Sequence, residues 1–277
     1  IRDYQNGEII FDRRYGSTNT FEKNNYPVGY NLGQSGNTPS QNLVDAYEMI
    51  DGTPFDWNNP EHKSNPYANR DPRLAMSILT NNVEFKDRTI EAWTGGRDGK
   101  GVIHATRTGY YIYKFIDPNL DLLQNRTSVH HWVIMRYAEI LLSYAEAMNE
   151  AYGPTGNVGY RLNAVRALNQ VRNRVGVEMP AVPTAISKEE LREKIRNERR
   201  VELAFEDHRF WDVRRWMIAP ETLGTPLRGV EITKISDEEF EYKPIEVEKR
   251  TFEPKMYLYP IPQADLNTTG WVQNPLW

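Results

Sequence analysis

Glu198 and Glu202, one helical turn apart, carry the most obvious chemical possibility in this chain. A glycosidase needs two carboxyl groups ~5–9 Å apart on either side of a sugar, and an i, i+4 pair on a helix can meet that spacing. Advancing ~100° per residue, however, puts both on one stripe with Leu191, Ile195, Phe205 and Arg209. The stripe begins apolar, so the carboxylates face inward, where a charge is costly unless it is paired. Arg136, Arg172, Arg174 and Arg209 are the candidate partners. Arginine neighbours lower carboxylate pKa values, and a glycosidase needs an open cleft. We therefore read Glu198, Glu202, Arg136 and Arg209 as a structural ion network and assign no catalytic residue.

Other chemistry-bearing patterns are weaker. Thr94-Gly95-Gly96-Arg97-Asp98-Gly99-Lys100-Gly101 resembles a phosphate loop, but its glycine spacing is short by one and no Ser or Thr follows Lys100. A flexible loop is the better description. The same stretch carries Trp93, Arg97, Asp98 and, slightly later, His104. A ring beside planar hydrogen-bonding groups suits sugar recognition, the ring for C–H faces and the polar groups for hydroxyls. Trp57, in a polar loop between Phe55-Asp56 and Asn58-Asn59, is a second stacking candidate. Packing of these rings as loop staples remains the alternative. His62, His104, His130, His131 and His208 form no HExxH and no i, i+4 pair, so no zinc site is expected. No G-x-S-x-G is present. Asp117-Pro118-Asn119-Leu120-Asp121 lacks a calcium-loop pattern and reads as a turn. No metal and no cofactor is assigned.

Three helix-length segments must position these groups. Residues 131–152 place Ile134, Ala138, Leu141, Ala145 and Met148 on one face. Residues 158–176 carry a stripe of Val158, Leu162, Val165, Leu168, Val171 and Val175, with Gly176 as a stop. Gly153-Pro154-Thr155-Gly156 lies between them as a breaker. The third segment runs to Trp216 from Ser187, whose Glu190 three residues on completes a capping box. Two antiparallel helices on a short loop are the unit of a helical-repeat protein. Elsewhere the pattern is sparse: a short helix at 42–50, strands at 74–79 and 83–85 around Asn81-Asn82, a strand at 110–115, and paired strands at 232–235 and 246–252. Residues 1–130 thus read as a loop-rich, ligand-facing region, 131–219 as the helical scaffold, and 220–277 as a tail packed on it.

Composition bounds the function. A chain of 277 residues can bury a substantial core. Its net charge of -4, with acids and bases interspersed, argues against a nucleic-acid footprint. No apolar run approaches ~18 residues, so no transmembrane helix is expected. The absence of cysteine removes disulfides, thiolate metal sites and a Cys nucleophile. Aromatics reach 12%, with most Trp and Tyr outside the helical segments.

Several stretches together resemble the C-terminal part of the SusD/RagB family, the outer-membrane nutrient-binding lipoproteins of Bacteroidetes. They are Glu8-Ile9-Ile10-Phe11; Leu43 to Met49 with Asp51-Gly52; Asn69-Arg70-Asp71-Pro72-Arg73-Leu74; Thr108-Gly109-Tyr110-Tyr111 with Lys114-Phe115; Arg136 to Glu139 through Tyr144 to Ala147; Glu198-Arg199 to Arg209 and Trp216; and Tyr259-Pro260-Ile261-Pro262 with Gln273-Asn274-Pro275. Their order and reach carry the match more than any one piece does. The family's long N-terminal helical region is missing and Ile1 is not an initiator, so a piece of a longer protein is expected.

The resemblance implies a mostly helical α+β fold: a TPR-like helical-repeat scaffold with long loops and a few short strands. It also implies a non-catalytic protein at the cell outer membrane, held by an N-terminal lipid anchor absent from this chain, with a SusC-type TonB-dependent transporter as partner. The expected ligand is an oligosaccharide or polysaccharide. Trp93 and Trp57 would stack on it, and Arg97, Asp98 and His104 would bond its hydroxyls. Two alternatives stay open: a RagB-like peptide-uptake protein, and a glycoside hydrolase using Glu198 and Glu202.

Overall fold

A computed structural model describes residues 5–277; the first four positions of the region read as 1–130 lie outside them. In chain order the elements are β1 (Ile9–Arg14), α1 (Thr20–Asn25), α2 (Gln41–Val44), α3 (Pro60–Ser64), α4 (Arg73–Ser77), β2 (Ile78–Leu79), β3 (Glu84–Phe85), β4 (Arg88–Thr89), β5 (Tyr111–Ile112) and β6 (His131–Arg136). They continue as α5 (Tyr137–Tyr152), α6 (Ala164–Arg172), α7 (Lys188–Glu202), α8 (His208–Arg215), α9 (Ala219–Thr222), β7 (Leu227–Lys234), β8 (Phe240–Glu248), a 3-10 turn (Pro254–Tyr257) and α10 (Gln263–Thr269). The fold is mostly helical α+β, with antiparallel two-stranded sheets β1-β6, β2-β5, β3-β4 and β7-β8.

The scaffold forms where the periodicity predicts it, but each segment is trimmed by a specific residue. The first segment starts as a strand: β6 pairs with β1, more than a hundred residues upstream, and Ile134 is exposed. Val133 and Ile134 are β-branched, and that distant pairing overrides the helical pattern. In the second segment Asn163 caps the helix by accepting from the Arg166 N–H at 2.9 Å, which leaves Val158 and Val175 outside it and exposed. The third opens with the capping box at Ser187 and Glu190, both of its bonds formed. It then breaks after Glu202, with Phe205 and Asp207 both at positive φ of 64°, and resumes as α8. Glu198 and Glu202 keep the inward stripe; the break turns Arg209 off it.

Helix α5 packs on α6 and α7 through Ala138, Leu142, Ala145, Leu168, Leu191 and Ile195, a core of its own. A second core gathers Tyr26, Tyr47, Ile78, Ile90, Tyr110, Tyr111 and Ile116 with Val230, Ile232 and Tyr242 from the C-terminal hairpin. The β7-β8 hairpin is longer than the 232–235 and 246–252 strands expected, and it joins this loop-region core rather than the helical one. Gly109 makes that contact possible: at φ +85°, any Cβ there would lie 2.7 Å from the Val230 carbonyl oxygen. The final segment reaches the scaffold by another route, with Arg214 of α8 donating to the Met256 carbonyl at 2.7 Å and to that of Tyr257. Of the other expected strands, residues 74–77 are helical, and β2 pairs with β5 rather than with β3.

Candidate functional site

Two polar regions stand out in the structure, one closed around the Glu198 and Glu202 pair and one open. Glu198 and Glu202 are 2% and 3% exposed. Arg73 donates to Glu198 at 2.5 Å and to Glu202 at 2.8 Å, Arg172 to Glu198 at 2.7 Å, and Arg136 to Glu202 at 2.7 Å. Arg174 reaches Glu202 at 2.6 Å. The network extends to Asp71, Glu48, Glu8 and Glu206, with Lys194 and Lys114 as further cations. Burial opposes ionisation of Glu202, but Arg136, Arg174 and Arg73 outweigh it and hold its pKa well below the carboxylate range. Lys114 Nζ and Arg136 Nη2 also donate to the Glu202 carbonyl, at 3.2 and 2.8 Å, so two cations cap the C-terminus of α7. Every carboxylate oxygen of Glu198 and Glu202 is occupied by a guanidinium, so neither is placed to act on a sugar.

Arg136 and Arg172 belong to this network; Arg209 does not. Desolvation depresses the Arg209 pKa, and Asp212 is its principal opposite charge. Sequence reasoning missed Arg73, Lys114 and Glu206. The first two do stand in quoted motifs, Arg70-Asp71-Pro72-Arg73 and Lys114-Phe115, where a charge beside apolar neighbours was the available signal.

The open region is a cavity of about 990 Å³ between the α3 segment, the α4-β2-Asn82 stretch and the tip of the β7-β8 hairpin. Tyr67, Phe240 and Tyr242 supply its aromatic wall, and Thr80, Asn81 and Asn82 its small polar groups. The rings form a chain: Tyr110 to Tyr67 at 6.1 Å, Tyr67 to Tyr242 at 5.3 Å, Tyr242 to Phe240 at 6.4 Å and Phe240 to Trp93 at 5.4 Å between centroids. The first two pairs are edge-to-face, a geometry aromatic rings prefer, and the last two are tilted. Tyr110 donates to Gln41 Oε1 at 2.5 Å and meets the Tyr67 hydroxyl at 3.3 Å, which holds the deep end of the wall. Arg70 pins the segment below it by donating to the carbonyls of Val44, Tyr47 and Pro66. Burial pushes its pKa down to about 10. Asn81 accepts from the Ala92 N–H at 3.1 Å, which ties the cavity to the Gly-rich loop.

None of the ligand residues expected from sequence lines this cavity. Trp93 comes nearest: it backs Phe240, with Lys234 Nζ 4.9 Å from its ring centre. Its neighbour Thr94 donates to the Ile232 carbonyl at 2.9 Å, fixing the loop to the hairpin. Trp57 is partly buried against the same core, its indole N–H donating to Asp45 at 3.0 Å. Asp98 is fully buried and anchors the loop. It accepts from Arg88 at 2.6 and 2.9 Å and from the Gly29 and Glu91 N–H groups at 3.1 and 2.9 Å. Its carboxylate does not face a surface ligand. Arg97 is exposed and pairs with Glu91 at 2.5 Å; His104 is exposed at φ +66°. The loop glycines serve close packing: a Cβ on Gly99 would sit 1.7 Å from the Trp93 carbonyl oxygen. Asp117 and Asp121 accept from backbone N–H groups two or three residues on, as turn residues do. Among the described residues, no three His, Asp or Glu side chains are grouped to hold a metal ion.

The comparisons agree with this architecture. A model of the SusD family matches residues 7–277, and the chain belongs to that family. A solved SusD-like protein from Bacteroides fragilis is 32% identical with a TM-score of 0.81, over 99% of this chain and 55% of that one. A second structure from the same species, described as a SusD-like carbohydrate-binding protein, is 30% identical with a TM-score of 0.76, over 94% and 53%. SusD-like protein P2 of Formosa agariphila is 34% identical over 120 residues, 42% of this chain and 22% of that protein. The chain spans about half the length of these solved relatives.

Proposed function

We propose that this chain is the ligand-holding part of a non-catalytic glycan-binding protein of the bacterial outer membrane, which hands its cargo to a SusC-type TonB-dependent transporter. The observation that carries the reading is the cavity of about 990 Å³ lined by Tyr67, Phe240 and Tyr242 together with Thr80, Asn81 and Asn82. Rings present flat faces to sugar C–H groups, and amides and hydroxyls match sugar hydroxyls. The description of one relative as carbohydrate-binding supports the same ligand class. Trp93 backs the wall through its contact with Phe240.

Each stacked ring contributes about 1 kcal/mol, so two or three give weak binding suited to capture and release. The hairpin also disfavours a peptide cargo added as a strand. Val230 donates its N–H away from β8, to the Thr108 carbonyl at 2.9 Å. Its partner across the ladder is Pro244, so the outer edge of β8 lacks a donor there.

The test is affinity electrophoresis of the protein through gels containing plant, host or microbial polysaccharides, with a peptide mixture run in parallel by calorimetry. Retardation by one glycan class is the expected result. Heat from peptides with no retardation by any glycan would transfer the cavity to peptide uptake.

A further inference from the structure

Six side chains that carry charge at neutral pH line the cavity: Lys63, Arg70, Asp71, Glu238, Glu239 and Glu241. Two of them are committed to the protein. Arg70 spends its N–H groups on backbone carbonyls, and Asp71 is bound by Arg73 at 2.6 Å. The rest are exposed and divide unequally. Lys63 stands on α3, whereas Glu238, Glu239 and Glu241 crowd the facing hairpin tip. Asp237 beside them is exposed and pairs with Lys234 at 2.7 Å. The mouth is therefore negative on the hairpin side. Deeper in, Thr80 is 8% exposed and lines the cavity. The interior thus offers a neutral group to a ligand behind an acidic mouth.

Resting on the glycan reading above, we propose that the cavity selects neutral glycans and rejects those bearing uronate or sulfate groups, with Glu238, Glu239 and Glu241 as the selectivity residues. Like charges at an aqueous cavity mouth repel over about a Debye length, which lowers affinity for a polyanion by about three- to tenfold at low salt. The effect is a discrimination, so it is read as a ratio.

The probe is a neutral polysaccharide that retards the protein, compared with the same polysaccharide after partial oxidation of its primary hydroxyls to carboxylates. The oxidised form is expected to bind about three- to tenfold more weakly at low salt, and high salt is expected to shrink the gap. The variant E238Q/E239Q/E241Q, altered only at exposed positions, is expected to bring the affinity ratio towards one. Equal binding of the two forms by the wild type overturns the inference while leaving the glycan reading intact. So does a ratio unchanged in the triple variant, which would trace the discrimination to the lost hydroxyls. Failure of every neutral and charged glycan to bind overturns the glycan reading and this inference with it.

Discussion

The seam around Glu202 and the cavity beneath the hairpin tip are both polar regions inside a small chain, and they differ in whether their groups are used up. In the seam, acids and bases from seven separate stretches meet at short distances, and Glu198, Glu202, Glu206, Arg73, Arg136 and Arg172 are almost wholly buried. In the cavity, Thr80 and Asn82 line open volume beside Tyr67, Phe240 and Tyr242. A saturated network can hold two cores together but has nothing to offer a ligand. An unsaturated one adds little to stability and can bind. Buried charge in this protein therefore marks structure, and the less conspicuous amides and rings mark the proposed ligand site.

The largest expected effect breaks the seam. Glu202→Ala leaves Arg136, Arg174 and Arg73 facing one another without their shared carboxylate, a loss of about 3–5 kcal/mol in urea denaturation. A loss below about 1 kcal/mol would mean the network is not what joins the two cores.

Acid attacks the same point. Burial works against the charged forms of Glu202 and Glu206, but their cationic partners prevail and depress both pKa values in the folded state. Their contribution is thus complete above the unfolded glutamate pKa of about 4.3 and is lost as pH falls below it. The urea midpoint should hold from neutral pH down to that value and then drop. Glu202→Gln, already destabilised, should show a shallower drop.

Changes at the cavity should invert the pattern. Phe240→Ala removes a partly buried ring and its stack on Trp93. Glycan affinity should fall about fivefold, the worth of one ring, while the urea midpoint moves less than for any seam variant. Trp93→Ala should act in the same direction but more weakly, since Trp93 supports the wall from behind. The smallest effect belongs to Arg97→Ala: an exposed pair with Glu91 is screened by solvent, and the melting temperature should not change measurably.

These contrasts also separate what the sequence could tell from what it could not. The capping box at Ser187, the inward stripe from Leu191 to Glu202 and the need of Glu198 and Glu202 for arginine partners all follow from local spacing. Arg136, Arg172 and Arg174 stand among the candidate partners, but only the structure separates them from Arg209. Arg73 and Lys114 supply charge from 88 or more residues away, which no local pattern reports. Arg209 was misplaced because the stripe assumed one continuous helix, and the left-handed residues Phe205 and Asp207 interrupt it. The cavity was hidden for the same reason as Arg73: residues near 67, 81 and 240 meet only once the hairpin folds back onto the loop-region core. Aromatic loop residues drew attention to Trp93 and Trp57, yet both bury much of their rings against that core.

The most direct test measures glycan retardation and urea midpoint together for wild type, Phe240→Ala and Glu202→Gln. The account predicts that Phe240→Ala loses retardation with its midpoint nearly kept, and that Glu202→Gln loses midpoint while the fraction still folded is retarded like wild type. Undiminished retardation of Phe240→Ala by a glycan that retards the wild type would contradict it.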